Sequence, residues 1–263
     1  MQVVKDAGSY TQPGPGVGSH WSEHMRVADL SVGTYSVPSG GTDDQVPLTE
    51  DEIYVVTAGQ ARLEAGGQSV PVGPGSVIYV PAGEVHRFTD ITADLNKDYK
   101  WVKTSGIIST NKWGNLPGGE VFTTPGEVNG TFVIDGVVGD YLCAKYGDLK
   151  ATPLTVRVKG NRVTEAQSEN KELEDEFWKY THTDENSDRV GEFAIGTNIG
   201  LHSVIGNILQ DEKLPGIHMA FGNPYGAHTG AQWYSSTHID VVGRNFDIWA
   251  DDQHIMNDGK FLI

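Results

Sequence analysis

The chain has only one cysteine, Cys143, among its 263 residues, so no internal disulfide can form. A chain without disulfides suits a reducing compartment. No apolar run approaches membrane-spanning length, and the start, MQVVKDAGSY, lacks the apolar core of a secretory signal. We therefore expect a cytoplasmic protein without a membrane partner.

Basic residues are also few. The chain has 19 lysines and arginines against 35 aspartates and glutamates, which gives a formal net charge of −16. Nucleic acids and anionic membranes bind basic patches, so this balance argues against both as partners. The balance is typical of an acidic surface in contact with water.

Glycine and proline, by contrast, are abundant, with 33 and 12 residues. Both residue types favour tight turns, so we expect many short strands joined by turns. Hydrophobic residues make up 38% of the chain and aromatic residues 9%, which is enough for a packed core. A chain of this length forms one large domain or two ordinary ones.

Residues able to bind a metal are concentrated in the last third of the chain. His218 lies in GIHMAFGNPY, and His238 and Asp240 lie in SSTHIDVV. Because side chains alternate along a strand, the His-x-Asp pair points to one face. Three glutamates lie upstream, in RVGEFAIGTN, LQDEKLPG and GNLPGGEVFTTP; they are Glu192, Glu212 and Glu120.

These residues predict one of two kinds of metal site. Two imidazoles and one carboxylate on one side of a divalent metal leave the opposite coordination positions open, as in non-haem Fe(II) oxygenases. Three or more carboxylates that converge with the same histidines would instead hold two metals, which suits hydrolysis. The residues alone leave both alternatives open.

Each candidate also has an ordinary structural explanation. Glu120 follows a turn, where surface acids are common. Glu192 begins an apolar strand, where a carboxylate without a partner is costly, so we expect it to face a metal, a cation or a substrate. His218 lies between apolar neighbours, as a core histidine would. His202 and His228 lie in glycine-rich loops, where solvated histidines are the default.

The first part of the chain, from about Val27 to Asp90, contains short β-type runs punctuated by glycine. The stretch GPGSVIYVPAGEVH predicts a turn followed by a strand at Val77–Val80. It resembles the second motif of the cupin family, with Gly75, Pro81, Gly83 and His86 at the matching positions. The stretch GTDDQVPLTEDEIYVVTAG resembles the first cupin motif, with Glu52 at its carboxylate position. This resemblance implies a small antiparallel barrel over about the first hundred residues.

The first cupin motif departs from the family pattern. Cupins carry one or two histidines after its proline, whereas Leu48 stands there in this chain. Only Glu52 and His86 remain as ligands, and two ligands rarely hold a catalytic metal tightly. We therefore expect the barrel to be a metal-free scaffold. The alternative is that His20 and His24, in SHWSEHMR, fold back and complete a site.

The second part, from about Gly106 to Ile263, has a mixed pattern. TFVIDGVVG and PLTVRVKGNRV predict strands, the second as a hairpin with its turn at Lys159–Asn161. AQSENKELEDEFWKYTH predicts a helix with Leu173, Phe177 and Trp178 as its apolar residues. GEFAIGTN, GIHMAFG and THIDVVG predict strand ends beside glycine-rich loops, where α+β enzymes place their chemistry.

This second part resembles a catalytic region shared by two related groups. GNLPGGEVFTTP, GEFAIGTN, a DEK segment, IHMAFG and a closing HID carry the resemblance, which covers about residues 106 to 263. One group is the thermophilic metallo-aminopeptidases, which are dinuclear hydrolases. The other includes 2,5-dihydroxypyridine 5,6-dioxygenase, an Fe(II) ring-cleaving enzyme. The peptidase pattern implies a catalytic hydroxyl at Tyr225 and six metal ligands: Glu120, Glu192, Glu212, His218, His238 and Asp240.

Three departures separate this chain from the peptidases. A cupin-like segment stands in the place of their large N-terminal domain. Lys213 occupies a position next to Glu212 where the peptidases carry a neutral residue, and a cation close to a second divalent metal would repel it. The interval from Glu212 to His218 is also one residue longer. Each departure weakens a two-metal site more than a one-metal site.

The sequence thus predicts a β-rich metalloenzyme in two parts. A cupin-like antiparallel β-barrel occupies residues 1–100, and an α+β metalloenzyme domain occupies residues 101–263. The barrel is expected to supply a wall of the substrate pocket or the contact of a homodimer.

The first functional expectation is a non-haem Fe(II)-dependent dioxygenase that acts with O2 on a small hydroxylated aromatic or N-heteroaromatic compound. His218, His238 and Asp240 would hold Fe(II). Glu120 or Glu192 would act as a base or orient a ligand, and Tyr225 would donate a hydrogen bond.

The alternative is a dinuclear hydrolase of amide bonds with two zinc, cobalt or manganese ions, in which Glu192 bridges the metals or activates water. Glu120 and Glu212 would then be ligands of the second metal. A third, non-enzymatic alternative is a small-molecule binding protein whose site has decayed. The intact His-x-Asp pair and the retained glutamates disfavour this last alternative.

Overall fold

The computed structural model describes residues 3–15, 17–28, 30–43, 45–66, 68–110 and 114–263. The chain divides into two compact units, Met1–Thr92 (unit 1) and Ala93–Ile263 (unit 2). Among the residues described, every helix is too short or too polar to span a lipid bilayer.

The described part of unit 1 consists of strands and turns. Glycines with positive φ, such as Gly59 (82°) and Gly75 (92°), form turns between the strands, where residues with a Cβ would be strained. The strands are β1 (His20–Val27), β2 (Leu30–Ser36), β3 (Glu52–Val55), β4 (Ala61–Ala65), β5 (Gln68–Val72), β6 (Val77–Val80) and β7 (His86–Thr89).

These strands pair into small antiparallel sheets: β1 with β2, β3 with β6, and β4 between β5 and β7. The prediction of antiparallel β structure is confirmed, and the strand predicted at Val77–Val80 is β6. The expected barrel is not closed, because no ladder among the described residues joins β3 and β6 to the sheet of β4, β5 and β7. A barrel closes only when staggered ladders continue around it.

Unit 2 combines antiparallel sheets with short helices, as the α+β prediction expects. Its strands are β8 (Ile91–Asp94, at the boundary of the two units), β9 (Val102–Thr104), β10 (Glu120–Thr123), β11 (Glu127–Ile134), β12 (Leu154–Lys159), β13 (Arg162–Ser168), β14 (Val190–Gly196), β15 (Gly216–Gly222), β16 (His238–Val242), β17 (Ile248–Ala250), β18 (Gln253–Asn257) and β19 (Lys260–Phe261). Its helices are α1 (Asp140–Tyr146), α2 (Lys171–Tyr180), α3 (Ile208–Asp211) and α4 (Gly226–Thr229).

Two local predictions in unit 2 have different outcomes. The predicted hairpin turn is confirmed: Gly160 and Asn161, with φ of 55° and 66°, join β12 to β13. The predicted helix is wrong over its first five residues, because Ala166–Ser168 continues β13. The helix α2 begins only after Asn170, whose side chain accepts a hydrogen bond from the Leu173 N–H and so caps it.

A five-stranded sheet of unit 2, in the order β16-β15-β14-β10-β9, holds most of the predicted site. The second strand of this order, β15, is buried along its whole length, as expected when both faces of a sheet are covered. Glu192 on β14 and Asp240 on β16 lie on either side of Ala220 of β15. His218 lies two residues before Ala220 and therefore on the same face. Because Ala220 is small, the larger side chains around it approach one another.

Candidate metal centre

The six residues that match the peptidase pattern converge in unit 2, and together they are called the unit 2 cluster. Five lie on β10, β14, β15 and β16, and the sixth follows α3 at its C-terminal end. Four of them are less than 10% exposed as side chains, and the other two, Asp240 and His238, are 14% and 17% exposed. The members are Glu120, Glu192, Glu212, His218, His238 and Asp240.

 

The exposed fractions divide the cluster into an inner and an outer part. The inner part consists of the four members that are less than 10% exposed: Glu120 (7%), Glu192 (6%), Glu212 (9%) and His218 (1%). Asp240 and His238 form the outer part, next to solvent. A substrate would therefore approach from the side of the His-x-Asp pair.

Glu192 lies between the two imidazoles. The Nε2 atom of His218 is 3.3 Å from Glu192 Oε1 and 3.3 Å from Glu120 Oε2. The Nε2 atom of His238 is 3.8 Å from Glu192 Oε2 and 3.2 Å from Asp240 Oδ1. The prediction that His238 and Asp240 share one face of a strand is confirmed by this last distance.

The cluster contains three overlapping groups of residues whose ligand atoms all lie within 4.8 Å of one another. Each group consists of one histidine and two carboxylates. The groups are Glu120, Glu192 and His218; Glu192, His238 and Asp240; and Glu212, His218 and Asp240. Among the described residues the two histidines thus belong to different groups. The assignment of His218, His238 and Asp240 to one iron stays a prediction.

His218 supports the fit of a metal to these residues. Both of its ring nitrogens are buried, and neither makes a hydrogen bond. A buried polar atom without a partner is costly, so such an atom in a native protein calls for an explanation. A positive charge beside Nε2, from a divalent cation held by the neighbouring carboxylates or from protonation of the ring, would remove that cost.

The orientation of His238 is set by a backbone carbonyl. Its Nδ1 lies 2.9 Å from the carbonyl oxygen of Asn223. Because a carbonyl oxygen only accepts hydrogen bonds, Nδ1 carries a proton, and Nε2 is the ring nitrogen that faces Asp240 and Glu192. Sequence reasoning missed this partner, since a backbone oxygen contributes no side-chain signal.

Lys213 brings a positive charge into the cluster. Its side chain is 1% exposed, and its Nζ lies 2.6 Å from Glu120 Oε2 and also donates a hydrogen bond to Glu212. Glu120 is held on its other oxygen by the Thr104 hydroxyl, at 3.0 Å. The neighbouring Asp211 accepts hydrogen bonds from the backbone N–H groups of residues 205–207.

The charges of the cluster shift the pKa values of its members. Burial raises the pKa of Glu120, but His218 and Lys213 outweigh burial and hold that pKa at about 2. Burial raises the pKa of Glu212, and the nearby Asp240 raises it further. Burial lowers the pKa of His218, but the facing carboxylates of Glu120 and Glu192 raise it to about 10. The carboxylates thus create a demand for positive charge.

Tyr225 lies beside the outer part of the cluster. It precedes α4 in the left-handed conformation, with φ of 49°, and its ring centroid is 4.3 Å from that of His238. The residue is 42% exposed. Burial and the nearby Asp240 raise the pKa of Tyr225, so the hydroxyl keeps its proton at neutral pH and is able to donate a hydrogen bond. His202 and His228 are exposed.

Unit 1 contains a second histidine–carboxylate contact, the unit 1 pair of Glu52 and His86. Their nearest atoms, Glu52 Oε1 and His86 Nε2, are 3.8 Å apart. The Tyr54 hydroxyl donates to Glu52 Oε2 at 2.5 Å and lies 2.9 Å from His86 Nε2. The other nitrogen of His86 is 3.0 Å from the carbonyl oxygen of Glu84. Sequence reasoning missed Tyr54, although strand alternation puts it on the same face as Glu52.

One of the two proposed replacement ligands of unit 1, His24, contacts a hydroxyl group. The Nε2 atom of His24 is 2.6 Å from the Thr34 hydroxyl. Leu48 is 49% exposed, and its carbonyl oxygen accepts a hydrogen bond from the Gly83 N–H. The expectation that unit 1 binds no catalytic metal stays a prediction.

Comparisons with known proteins agree with both resemblances. The thermophilic metalloprotease (M29) family matches residues 84–259, and the cupin domain family matches residues 34–94. An uncharacterized protein of Streptomyces coelicolor is 42% identical over 73 residues, which are 28% of this chain and 70% of that protein.

Two solved structures are similar to 78% of this chain, each with a TM-score of 0.49. Wild-type AmpT from Thermus thermophilus is 20% identical, and the match covers 50% of its chain. The 2,5-dihydroxypyridine dioxygenase from Pseudomonas putida is 18% identical, and the match covers 55% of its chain. The chain thus spans about half the length of these two proteins. Because the family match extends over more than half of its residues, the chain belongs to the thermophilic metalloprotease family, a family of metal-dependent enzymes.

Proposed function

We propose that the chain is a metal-dependent hydrolase of amide bonds whose metal binds in the unit 2 cluster. The observation that carries this proposal is the composition of the three ligand groups, each of which has one histidine and two carboxylates. Membership of the metalloprotease family supports the same reaction class.

The charge of these groups distinguishes hydrolysis from oxygenation. Two carboxylates balance the charge of a divalent metal, so the resulting centre suits a neutral amide carbonyl. Two histidines and one carboxylate would leave a net positive centre, which suits an anionic phenolate and is the set used by Fe(II) oxygenases. Each of the three groups found among the described residues has two carboxylates and one histidine, the set that suits a neutral amide.

The side chains around the centre have defined tasks in this proposal. A divalent metal held by these residues lowers the pKa of a water molecule and polarises a carbonyl oxygen. The Asn223 carbonyl keeps the Nε2 atom of His238 available as a ligand. Glu192 lies between the two imidazoles, where its carboxylate is able to accept a proton from water. The Tyr225 hydroxyl, on the solvent side, donates a hydrogen bond to the substrate carbonyl.

The Fe(II) dioxygenase is the competing proposal. The observation in its favour is that both imidazoles reach the same carboxylate, Glu192, within 3.8 Å. A small shift of either side chain would bring His218, His238 and Asp240 around one ion. The substrate would then be a small hydroxylated aromatic or N-heteroaromatic compound, and O2 would be required.

The two proposals are separated by an anaerobic experiment. Protein freed of metal is reloaded with Zn²⁺, Mn²⁺, Co²⁺ or Fe²⁺ and offered a panel of aminoacyl p-nitroanilides and short peptides, with and without O2. We expect hydrolysis at the same rate under argon and in air. The absence of hydrolysis with every metal would overturn the proposal. Turnover of a dihydroxypyridine that needs both Fe²⁺ and O2 would replace it with the dioxygenase.

A variant keeps this test specific to the cluster. Glu192→Gln preserves the size of the side chain but removes the charge that faces both imidazoles. Hydrolysis should fall at least about 100-fold, because removing even an indirect partner of a metal ligand costs about 10- to 100-fold. A rate equal to that of the wild type would assign the activity to a contaminant or to another site.

A further inference from the structure

The strongest unexplained feature of the unit 2 cluster is the buried ammonium group of Lys213. It lies within the set of residues that the peptidase pattern assigns to two metals, and it contacts two of them, Glu120 and Glu212. A buried lysine needs carboxylate partners, because an unpaired charge away from water is costly. Here both partners are residues that would otherwise be free to bind metal.

The position of this ammonium group is held by the backbone around it. The Lys213 N–H donates to the carbonyl oxygen of Gln210 at 2.9 Å, and its own carbonyl accepts from the Asn198 N–H at 3.0 Å. Two residues earlier, the buried Asp211 accepts hydrogen bonds from three successive N–H groups. These hydrogen bonds anchor the turn that carries Lys213. From this turn the Lys213 side chain reaches Glu120 and Glu212.

The three ligand groups differ in their relation to Lys213. One group contains Glu120, and another contains Glu212, so the ammonium group competes with a metal for a carboxylate in both. The third group, Glu192, His238 and Asp240, shares neither carboxylate. Two cations that share a carboxylate lie close together and repel each other strongly at low dielectric. Only the third group could hold a metal without sharing a carboxylate with the ammonium group.

We infer that the Lys213 ammonium group takes the place of a second metal ion, so that the cluster holds one divalent metal at Glu192, His238 and Asp240. This inference rests on the proposed function in assuming that the cluster binds metal. It differs from the two-metal arrangement that the peptidase pattern implies. The cluster is thus a one-metal centre with a permanent organic cation beside it.

Metal stoichiometry tests the inference directly. Metal-free wild-type protein is titrated with Zn²⁺ by calorimetry, and the bound metal is counted by mass spectrometry of the desalted protein. We expect one ion per chain for the wild type and two for Lys213→Met, because Glu120 and Glu212 are then released. Lys213→Arg keeps the cation and should bind one. The exposed Lys145, which pairs with Glu172 and Glu176, is the matched control, and Lys145→Met should also bind one.

The electronic state of bound manganese gives an independent measurement. One Mn²⁺ per chain has the spectrum of an isolated ion in electron paramagnetic resonance, whereas two neighbouring ions couple magnetically. We expect the isolated spectrum from the wild type and the coupled spectrum from Lys213→Met. Two ions per wild-type chain, or one ion in a folded Lys213→Met variant, would overturn the inference.

Glu120→Gln covers the outcome in which Lys213→Met does not fold. If Glu120 binds Lys213 and no metal, this variant should still bind one Zn²⁺ per chain, with an affinity changed by less than about 10-fold. Loss of the ion would overturn the inference. The same experiments test the proposed function separately. If the wild type binds one ion and Lys213→Met binds two, but neither protein hydrolyses amides, the inference is upheld and the hydrolase is rejected. A wild type that binds no metal would reject both.

Discussion

The two units each bring a histidine and a carboxylate together inside β structure, but they complete the contact differently. In the unit 1 pair, the Tyr54 hydroxyl bonds Glu52 at 2.5 Å and lies 2.9 Å from His86, so the polar atoms have partners within the protein. In the unit 2 cluster, both nitrogens of the buried His218 lack a hydrogen bond. The first arrangement supplies its own hydrogen-bond partners, whereas the His218 imidazole of the second lacks them.

We propose that this difference decides which of the motif residues bind metal. A histidine and a carboxylate at family positions are present in both units, so their presence alone does not decide. The deciding factor is whether a neighbouring side chain already satisfies them. A hydroxyl between the two groups removes the electrostatic demand, while several carboxylates around an orphaned imidazole increase it. Four predictions test this comparison, from the largest expected effect to the smallest.

The largest effect is expected from His238→Ala, which removes a proposed ligand from unit 2. Without its imidazole the ligand group loses one of three donors, so bound metal and amide hydrolysis should both fall by about 10³-fold or more. Metal content and kcat/KM are the measurements. His202→Ala, at an exposed histidine, is the control and should match the wild type. A His238→Ala protein with wild-type turnover would show that the centre lies elsewhere.

A smaller effect is expected from Tyr225→Phe, next to the same centre. Loss of one hydrogen bond to the substrate in the transition state should lower kcat by about 10- to 100-fold while bound metal per chain stays the same. The ring contact with His238 is retained in this variant, which isolates the hydroxyl. An unchanged kcat would mean that Tyr225 serves packing alone.

The unit 1 pair should respond in the opposite way to loss of its histidine. We expect His86→Ala to leave bound metal per chain unchanged and to lower the free energy of unfolding of unit 1 by about 1–3 kcal/mol. The cost arises because Tyr54 and Glu52 lose a buried partner. Denaturant unfolding and metal analysis measure the two quantities. Loss of one metal equivalent would break the comparison and show that unit 1 also binds metal.

The smallest effect is expected at Asp184, which anchors the segment before His238. Its carboxylate accepts hydrogen bonds from the backbone and hydroxyl of Ser236, the hydroxyl of Ser235 and the N–H of Asn186. Burial raises the pKa of Asp184, but these hydrogen bonds outweigh burial and hold the pKa well below its usual range. Asp184→Asn should therefore lower the free energy of unfolding at neutral pH by about 1 kcal/mol.

The pH dependence of that difference follows from the direction of the shift. A carboxyl whose pKa is lower in the folded state contributes stability above its unfolded pKa, near 4, and loses it as the pH falls through the folded pKa. The gap between wild type and Asp184→Asn should be full at pH 7 and shrink below about pH 4. Asp175→Asn, at an exposed residue, is the control. If the difference in the free energy of unfolding between the two proteins did not change with pH, the charge of Asp184 would not be the cause of that difference.

Much of the fold and part of the site follow from short-range patterns. The strand at Val77–Val80 and the turn at Lys159–Asn161 were predicted from a run of β-type residues and from the placement of glycine, because both depend on neighbouring residues only. The start of α2 was predicted wrongly. The residues up to Ser168 belong to β13, so the helix begins only after its cap, Asn170. The prediction of a closed barrel was also wrong, because closure depends on hydrogen-bonded ladders between strands that are distant in sequence.

The sequence by itself determined that His238 and Asp240 share a strand face, since alternation with period two needs no other part of the chain. It also determined which residues match the metalloprotease and cupin motifs. Only the tertiary structure decided their partners. Lys213 meets Glu120 across 93 positions of sequence, and Tyr54 meets His86 across 32. Such contacts depend on the register and order of strands, and a shift of one residue in register would turn each side chain to the other face.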